Sequence, residues 1–149
     1  MTTNLIQNRK ASFDYEFLEQ YEAGVVLRGY EAKAIRKGMA NLNGAYVIIR
    51  GGEAYLVNAS ISAYQVANAP KNYDPERPRK LLLSKKQLTE LENSGNQNGL
   101  TIVAVKWYNN KRHIKLHIAL ARGKKQADKR EKLKERSSKR DIDRIMKSQ

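Results

Sequence analysis

Two histidines, His113 and His117, stand four residues apart in a stretch whose apolar and polar residues alternate, so a strand would put both on one face. Such a pair could ligate a metal or share proton transfer. Four residues of strand span about 13 Å, however, which is too far for joint ligation of one ion. A histidine-dependent ribonuclease, with Lys111, Arg112 and Lys115 holding phosphate, is one reading; two surface histidines on a basic face is the stronger one. The chain has no cysteine, which excludes a disulfide scaffold, a thiolate nucleophile and Cys-ligated zinc. It also has no glycine-rich phosphate loop and no nucleophile motif, so the residues argue for neither an enzyme nor a cofactor or metal protein. Glu22, Glu31, Asp74 and Glu76 are flanked by basic residues or turns and are read first as ion pairs or caps.

The basic residues carry more information because aromatics lie among them. Arg9 and Lys10 lie near Phe13 and Tyr15, Arg36 and Lys37 near Tyr30, and Arg77, Arg79 and Lys80 near Tyr73. Irregular or single-stranded RNA is held by cations on phosphate and by bases stacked on exposed aromatics, and this interleaving supplies both. The competing reading buries the tyrosines in a core with their hydroxyls at its rim, as expected for Tyr46 and Tyr55. Lysine and arginine number 29 against 15 acidic residues, a net charge of +14, which directs the chain to a polyanion. No apolar run approaches the roughly 20 residues that span a bilayer, and no charged-then-apolar leader opens the chain. A soluble, unexported, cytoplasmic protein is the expectation.

These residues need a scaffold, and 149 residues suffice for one domain plus an appendage. Residues 121–149 hold 12 basic and 5 acidic residues, half the net charge in a fifth of the chain, and too few large apolar residues to offset ordering. We expect a domain over residues 1–122 and, over 123–149, a basic tail that is disordered when free. Residues 45–50 and 53–57 alternate as strands about Gly51-Gly52, a tight-hairpin signal. A second hairpin joins residues 101–108 and 113–121 through a turn at 109–112, where asparagines tolerate left-handed backbone. Residues 24–28 read as a further strand, with 13–19 an ambiguous partner. Short helices are expected over 30–37, closed by Gly38, and over 84–93, capped by Ser84. Residues 58–79, with all three prolines, read as a long loop. The pattern is mainly β: a small antiparallel OB-like barrel with two or three flanking helices.

Several stretches then carry a resemblance: Asn8-Arg-Lys-Ala11, Tyr21-Glu-Ala-Gly24, Gly29-Tyr-Glu-Ala-Lys33 with Arg36 and Gly38, Asp74-Pro75 with Arg77, and Arg79-Lys-Leu-Leu-Leu83. Ala121-Arg-Gly-Lys-Lys125, Asp128-Lys-Arg130 and Lys134-Glu-Arg136 complete the set. The chain resembles, nearly end to end, the small protein B family, which binds transfer-messenger RNA (SsrA) in bacterial ribosome rescue. It departs from the family's usual residues at Ala32, Ala34 and Ser84. The resemblance implies an OB-like barrel, a monomer and not an enzyme, that binds the tRNA-like part of that RNA. It further implies delivery, with elongation factor Tu in the complex, to stalled ribosomes, where the tail occupies the empty decoding site and mRNA channel and becomes helical. By position, Asn8, Glu22 and Leu82 match the family's RNA-binding residues, beside the cations Arg9, Lys10, Lys33, Arg36, Arg77, Arg79 and Lys80. Asn8 offers a donor and an acceptor, whereas Leu82 reads by itself as a core strand residue. Lys124, Lys125, Asp128, Lys129 and Arg130, with Ile145 and Met146, match the ribosome-binding tail, and Lys134 and Arg136 add cations for rRNA phosphate. A nonspecific single-strand RNA-binding or ribosome-associated OB protein remains the alternative.

Overall fold

The computed structural model describes residues 2–63, 69–95, 97 and 99–124. Its elements are β1 (Thr2–Gln7), α1 (Arg9–Asp14), β2 (Tyr15–Val25), α2 (Gly29–Arg36), β3 (Ala40–Asn41), β4 (Tyr46–Arg50), β5 (Glu53–Val57), β6 (Ser60–Ile61), β7 (Arg79–Leu82), α3 (Lys85–Gly95), β8 (Leu100–Asn110) and β9 (His113–Gly123). All pairings are antiparallel, and the order β8-β4-β5-β7-β2-β9 returns to β8, closing a barrel that leaves few edges exposed. β1 pairs with the far end of β8, and β3 pairs with β6 in a separate ribbon.

Alternation fills the barrel. Leu116, Ile118 and Leu120 of β9, Ile102, Ala104 and Trp107 of β8, Leu56 of β5 and Leu81 of β7 point inward, joined by Ile35 of α2 and Leu91 of α3. A smaller cluster forms on the outer face of the same sheet, where Ala11 of α1 packs on Val103, Ala119 and Ala121.

Local signals held where the partner lies within a few residues. Gly51 and Gly52 take φ of 60° and 75°, as a type I′ hairpin needs, and Gly38 takes 76° behind α2. The Ser84 hydroxyl accepts from the Gln87 N–H at 3.2 Å while the Gln87 side chain accepts from the Ser84 N–H at 3.2 Å, a reciprocal cap for α3.

Other expectations are corrected. Residues 13–19 are the end of α1 followed by the first part of β2, whose single 11-residue run takes in only residues 24 and 25 of the strand expected over 24–28 and leaves 26–28 irregular. The second hairpin turns on Lys111 (φ 58°) and Arg112, because Asn109 and Asn110 remain paired in the ladder. Tyr46 is exposed and Tyr55 only half-buried, because Val47, Ala54 and Leu56 hold the inward positions of β4 and β5. The expected loop over 58–79 contains β6 and ends in β7. Gly123 pairs with Tyr15, and Lys124 donates its backbone N–H to Asp14 (2.8 Å) and its ammonium to the Ser12 carbonyl (3.1 Å), so both belong to the folded part and not the tail. Lys125, Asp128, Lys129, Arg130, Lys134, Arg136, Ile145 and Met146 lie outside the described residues. Among the described residues no helix is long and apolar enough to cross a membrane.

Candidate nucleic-acid interface

The outer face of β2, β9 and β8 is covered by α1 at one end and open at the other. On the open part the strand registers line up a polar row: Glu22 of β2 faces His117 of β9, which faces Lys106 of β8. Tyr108, two residues beyond Lys106, reaches back across β9 so that its hydroxyl donates to the Glu22 carboxylate, and the Lys106 ammonium stands 5.7 Å from the Tyr108 ring centroid. Burial first, and then the Lys106 ammonium, push the His117 imidazole below its ordinary value, opposed by Glu22. The shift favours the neutral imidazole. His113 is exposed at the start of the same strand.

The next row is built around a missing side chain. Gly24 pairs with Lys115 on one side and Leu82 on the other, and a Cβ at Gly24 would stand 3.2 Å from the Leu82 Cβ. Leu82 thus lies over the bare backbone with 54% of its surface exposed, while Leu81 beside it is buried. A groove of about 280 Å³ opens here, lined by Gly24, Leu82, Arg36, Arg112, His113 and Lys115. Arg36 of α2 donates to the Arg112 carbonyl at 3.0 Å, which ties the helix to the β8–β9 turn. The face offers an apolar floor, flanking cations and one exposed carboxylate, a composition suited to an unstacked base and its phosphates.

The remaining candidates separate by burial. Arg9, Lys10 and Lys33 are exposed. Lys80 is exposed and paired with Glu53 at 3.1 Å. Arg79 is completely buried, contrary to its expected place on RNA: it holds Glu31 Oε2 at 2.7 and 3.0 Å and the Ala59 carbonyl at 2.9 Å. Arg77 closes on the same carboxylate, with Nε 3.1 Å from Oε2 and Nη2 against Oε1. Burial alone would raise the Glu31 carboxyl, but hydrogen bonds from Arg77, the Arg28 backbone N–H and Arg79 outweigh it and bring it down to about 2. Glu31 is thus both ion pair and cap, as its flanking residues suggested. Asn8 is buried as well, and its donor and acceptor are spent within the fold: the amide donates to the Leu42 and Ala104 carbonyls at 2.8 Å each, and the side-chain oxygen caps α1 at the Ala11 N–H.

Against this geometry, the family model of SmpB protein matches residues 5–148. The chain belongs to the SmpB family. Its similar curated relatives include the SsrA-binding protein of Gloeothece citriformis, 48% identical over 98% of this chain and 94% of the relative. The SsrA-binding protein of Gloeobacter violaceus is 49% identical over 95% and 93%. A solved chain from the work "tmRNA-SmpB: a journey to the center of the bacterial ribosome" superposes with a TM-score of 0.68 and 42% identity, covering 85% of this chain and 93% of that one. In this SmpB chain, sequence reasoning named Arg112 and Lys115 only as phosphate holders beside the histidines and missed Lys106 and Tyr108; the structure sets Lys106, Tyr108 and Lys115 on neighbouring strands, with Arg112 at the adjoining groove. A signal was present for part of it: His113, Lys115 and His117 alternate at every second position of β9, so they share a face.

Proposed function

We propose that this chain binds the tRNA-like part of SsrA RNA through the open face around Glu22 and Leu82, and carries that RNA to stalled ribosomes for rescue. The observation that supports the reading best is that Glu22 and Leu82, distant in sequence, flank Gly24 on one cationic face, in a chain whose relatives are SsrA-binding proteins along almost their whole length. Arg36, Arg112 and Lys115 neutralise phosphates there. Asn8 acts on this face indirectly, by fixing α1 and the exposed Arg9 and Lys10. The basic residues from Lys125 onward serve the ribosome, at the empty decoding site and mRNA channel, with elongation factor Tu in the delivery complex. The protein works in the cytoplasm, by binding and not by catalysis.

A competition experiment decides between this reading and a nonspecific RNA-binding barrel. The tRNA-like fragment should displace labelled complex at concentrations at least tenfold below those of bulk tRNA at equal salt. Equal competition by the two RNAs would sink the specific reading, since charge alone treats them alike.

A further inference from the structure

Glu22 is a carboxylate on a face built to meet a polyanion, and among the described residues no ion pair is recorded for it, in contrast to Glu31 and Glu53. Its observed side-chain partner is neutral, the hydroxyl of Tyr108. That bond runs from β8 to β2 over the intervening β9, two interstrand spacings or about 10 Å between backbones, which a tyrosine and a glutamate together can span. Tyr108 is 7% exposed, with the Lys106 ammonium over its ring, so little space is left for the side chain to move. Burial first and then Glu22 raise the phenol far above its ordinary value, so the hydroxyl keeps its proton and acts as a donor.

On the reading that this face binds the tRNA-like RNA, we propose that Tyr108 is the positioning residue for Glu22. It fixes the carboxylate with its free lone pairs directed outward, to accept N–H donors from an unpaired base. An exposed glutamate left to itself samples several rotamers and repels approaching phosphate. Ordering it beforehand removes the entropic cost from the binding step, and a neutral tether does so without quenching the charge that recognises the base. A lysine or arginine in place of Tyr108 would hold the carboxylate by consuming it.

Tyr108→Phe keeps the ring and deletes the tether. In full-length protein it should weaken binding of the tRNA-like fragment about tenfold, leave bulk-tRNA binding within twofold, and leave the far-UV circular dichroism unchanged. In a Glu22→Ala background the same substitution should add less than twofold. A purely structural tyrosine would instead give losses that multiply with those of Glu22→Ala and that extend to bulk tRNA. Wild-type affinity in the single variant, or such independent losses, overturns the proposal. Should Tyr108→Phe fail to fold, NMR of wild-type protein decides: the Tyr108 hydroxyl proton should be a slowly exchanging resonance, free and RNA-bound, and its absence overturns the proposal. Failure of the wild-type protein itself to prefer the fragment over bulk tRNA would be a failure of the functional reading, visible before any variant is made.

Discussion

Glu31 gathers guanidinium groups from Arg77 and Arg79, 46 and 48 residues further along the chain, and the Tyr73 hydroxyl stands 3.0 Å from the same carboxylate. One side chain thereby pins the far end of the proline-bearing segment and the start of β7 to helix α2. The Tyr73 ring in turn meets the Tyr30 ring of α2 edge to face at 5.1 Å. Because the folded carboxyl titrates at about 2, below the about 4.3 of an unfolded chain, its contribution is complete above that unfolded value and is lost as the pH falls toward 2. Glu31→Gln leaves Arg79 buried without a counter-charge, so we expect a loss of about 3–5 kcal/mol at pH 7. The acid limb between about pH 4.5 and 2 should also become shallower than in wild type. Urea unfolding across that range measures both; parallel acid limbs for the two proteins would mean that Glu31 is not the titrating group.

The β2–β9 ladder carries the described fold to its last residues. It continues through Glu16↔Arg122 and Tyr15↔Gly123, and Lys124 then bonds back to α1, so the described fold reaches at least to Lys124. A chain ending at Lys124 should unfold in urea at the full-length midpoint and bind the tRNA-like fragment with full-length affinity at high salt, where the tail's long-range attraction is screened. Ending the chain at Ala121 removes those two pairs, the Leu100↔Arg122 pair and both Lys124 bonds. That shorter chain should be less stable by about 1–3 kcal/mol. Equal stability of the two truncations would show that the last three residues contribute nothing to the barrel.

Across the whole molecule the proposed RNA face and Lys124, where the described chain ends, are separated along β9. His117, opposite Glu22, and Lys124 are seven residues apart, roughly 23 Å of strand, with α1 on Val103, Ala119 and Ala121 between them. On the proposed reading, a molecule organised this way holds one RNA at its open face while the residues after Lys124 engage another. Changes in the tail should therefore leave the first contact intact. Ile145→Ala/Met146→Ala keeps the net charge, and we expect unchanged affinity for the tRNA-like fragment together with loss of peptide tagging on stalled ribosomes. Normal tagging by this variant would reduce the tail to its total charge, and weakened fragment binding would contradict the separation.

The sequence alone was sufficient for the features whose hydrogen-bond partners lie within a few residues: the Gly51-Gly52 turn, the Gly38 end of α2 and the Ser84 cap of α3. Even the family was legible, because its motifs are contiguous words. The run Arg79-Lys-Leu-Leu82 marks the limit of that reading. Charge and hydropathy put Arg79 on the RNA and Leu82 in the core, and the structure reverses both. In β7 alternate residues face opposite sides, and which pair goes inward is set by partners that no local pattern reveals. Glu31, 48 residues earlier, makes a buried arginine affordable, and the bare backbone of Gly24 across the sheet gives an exposed leucine its bed.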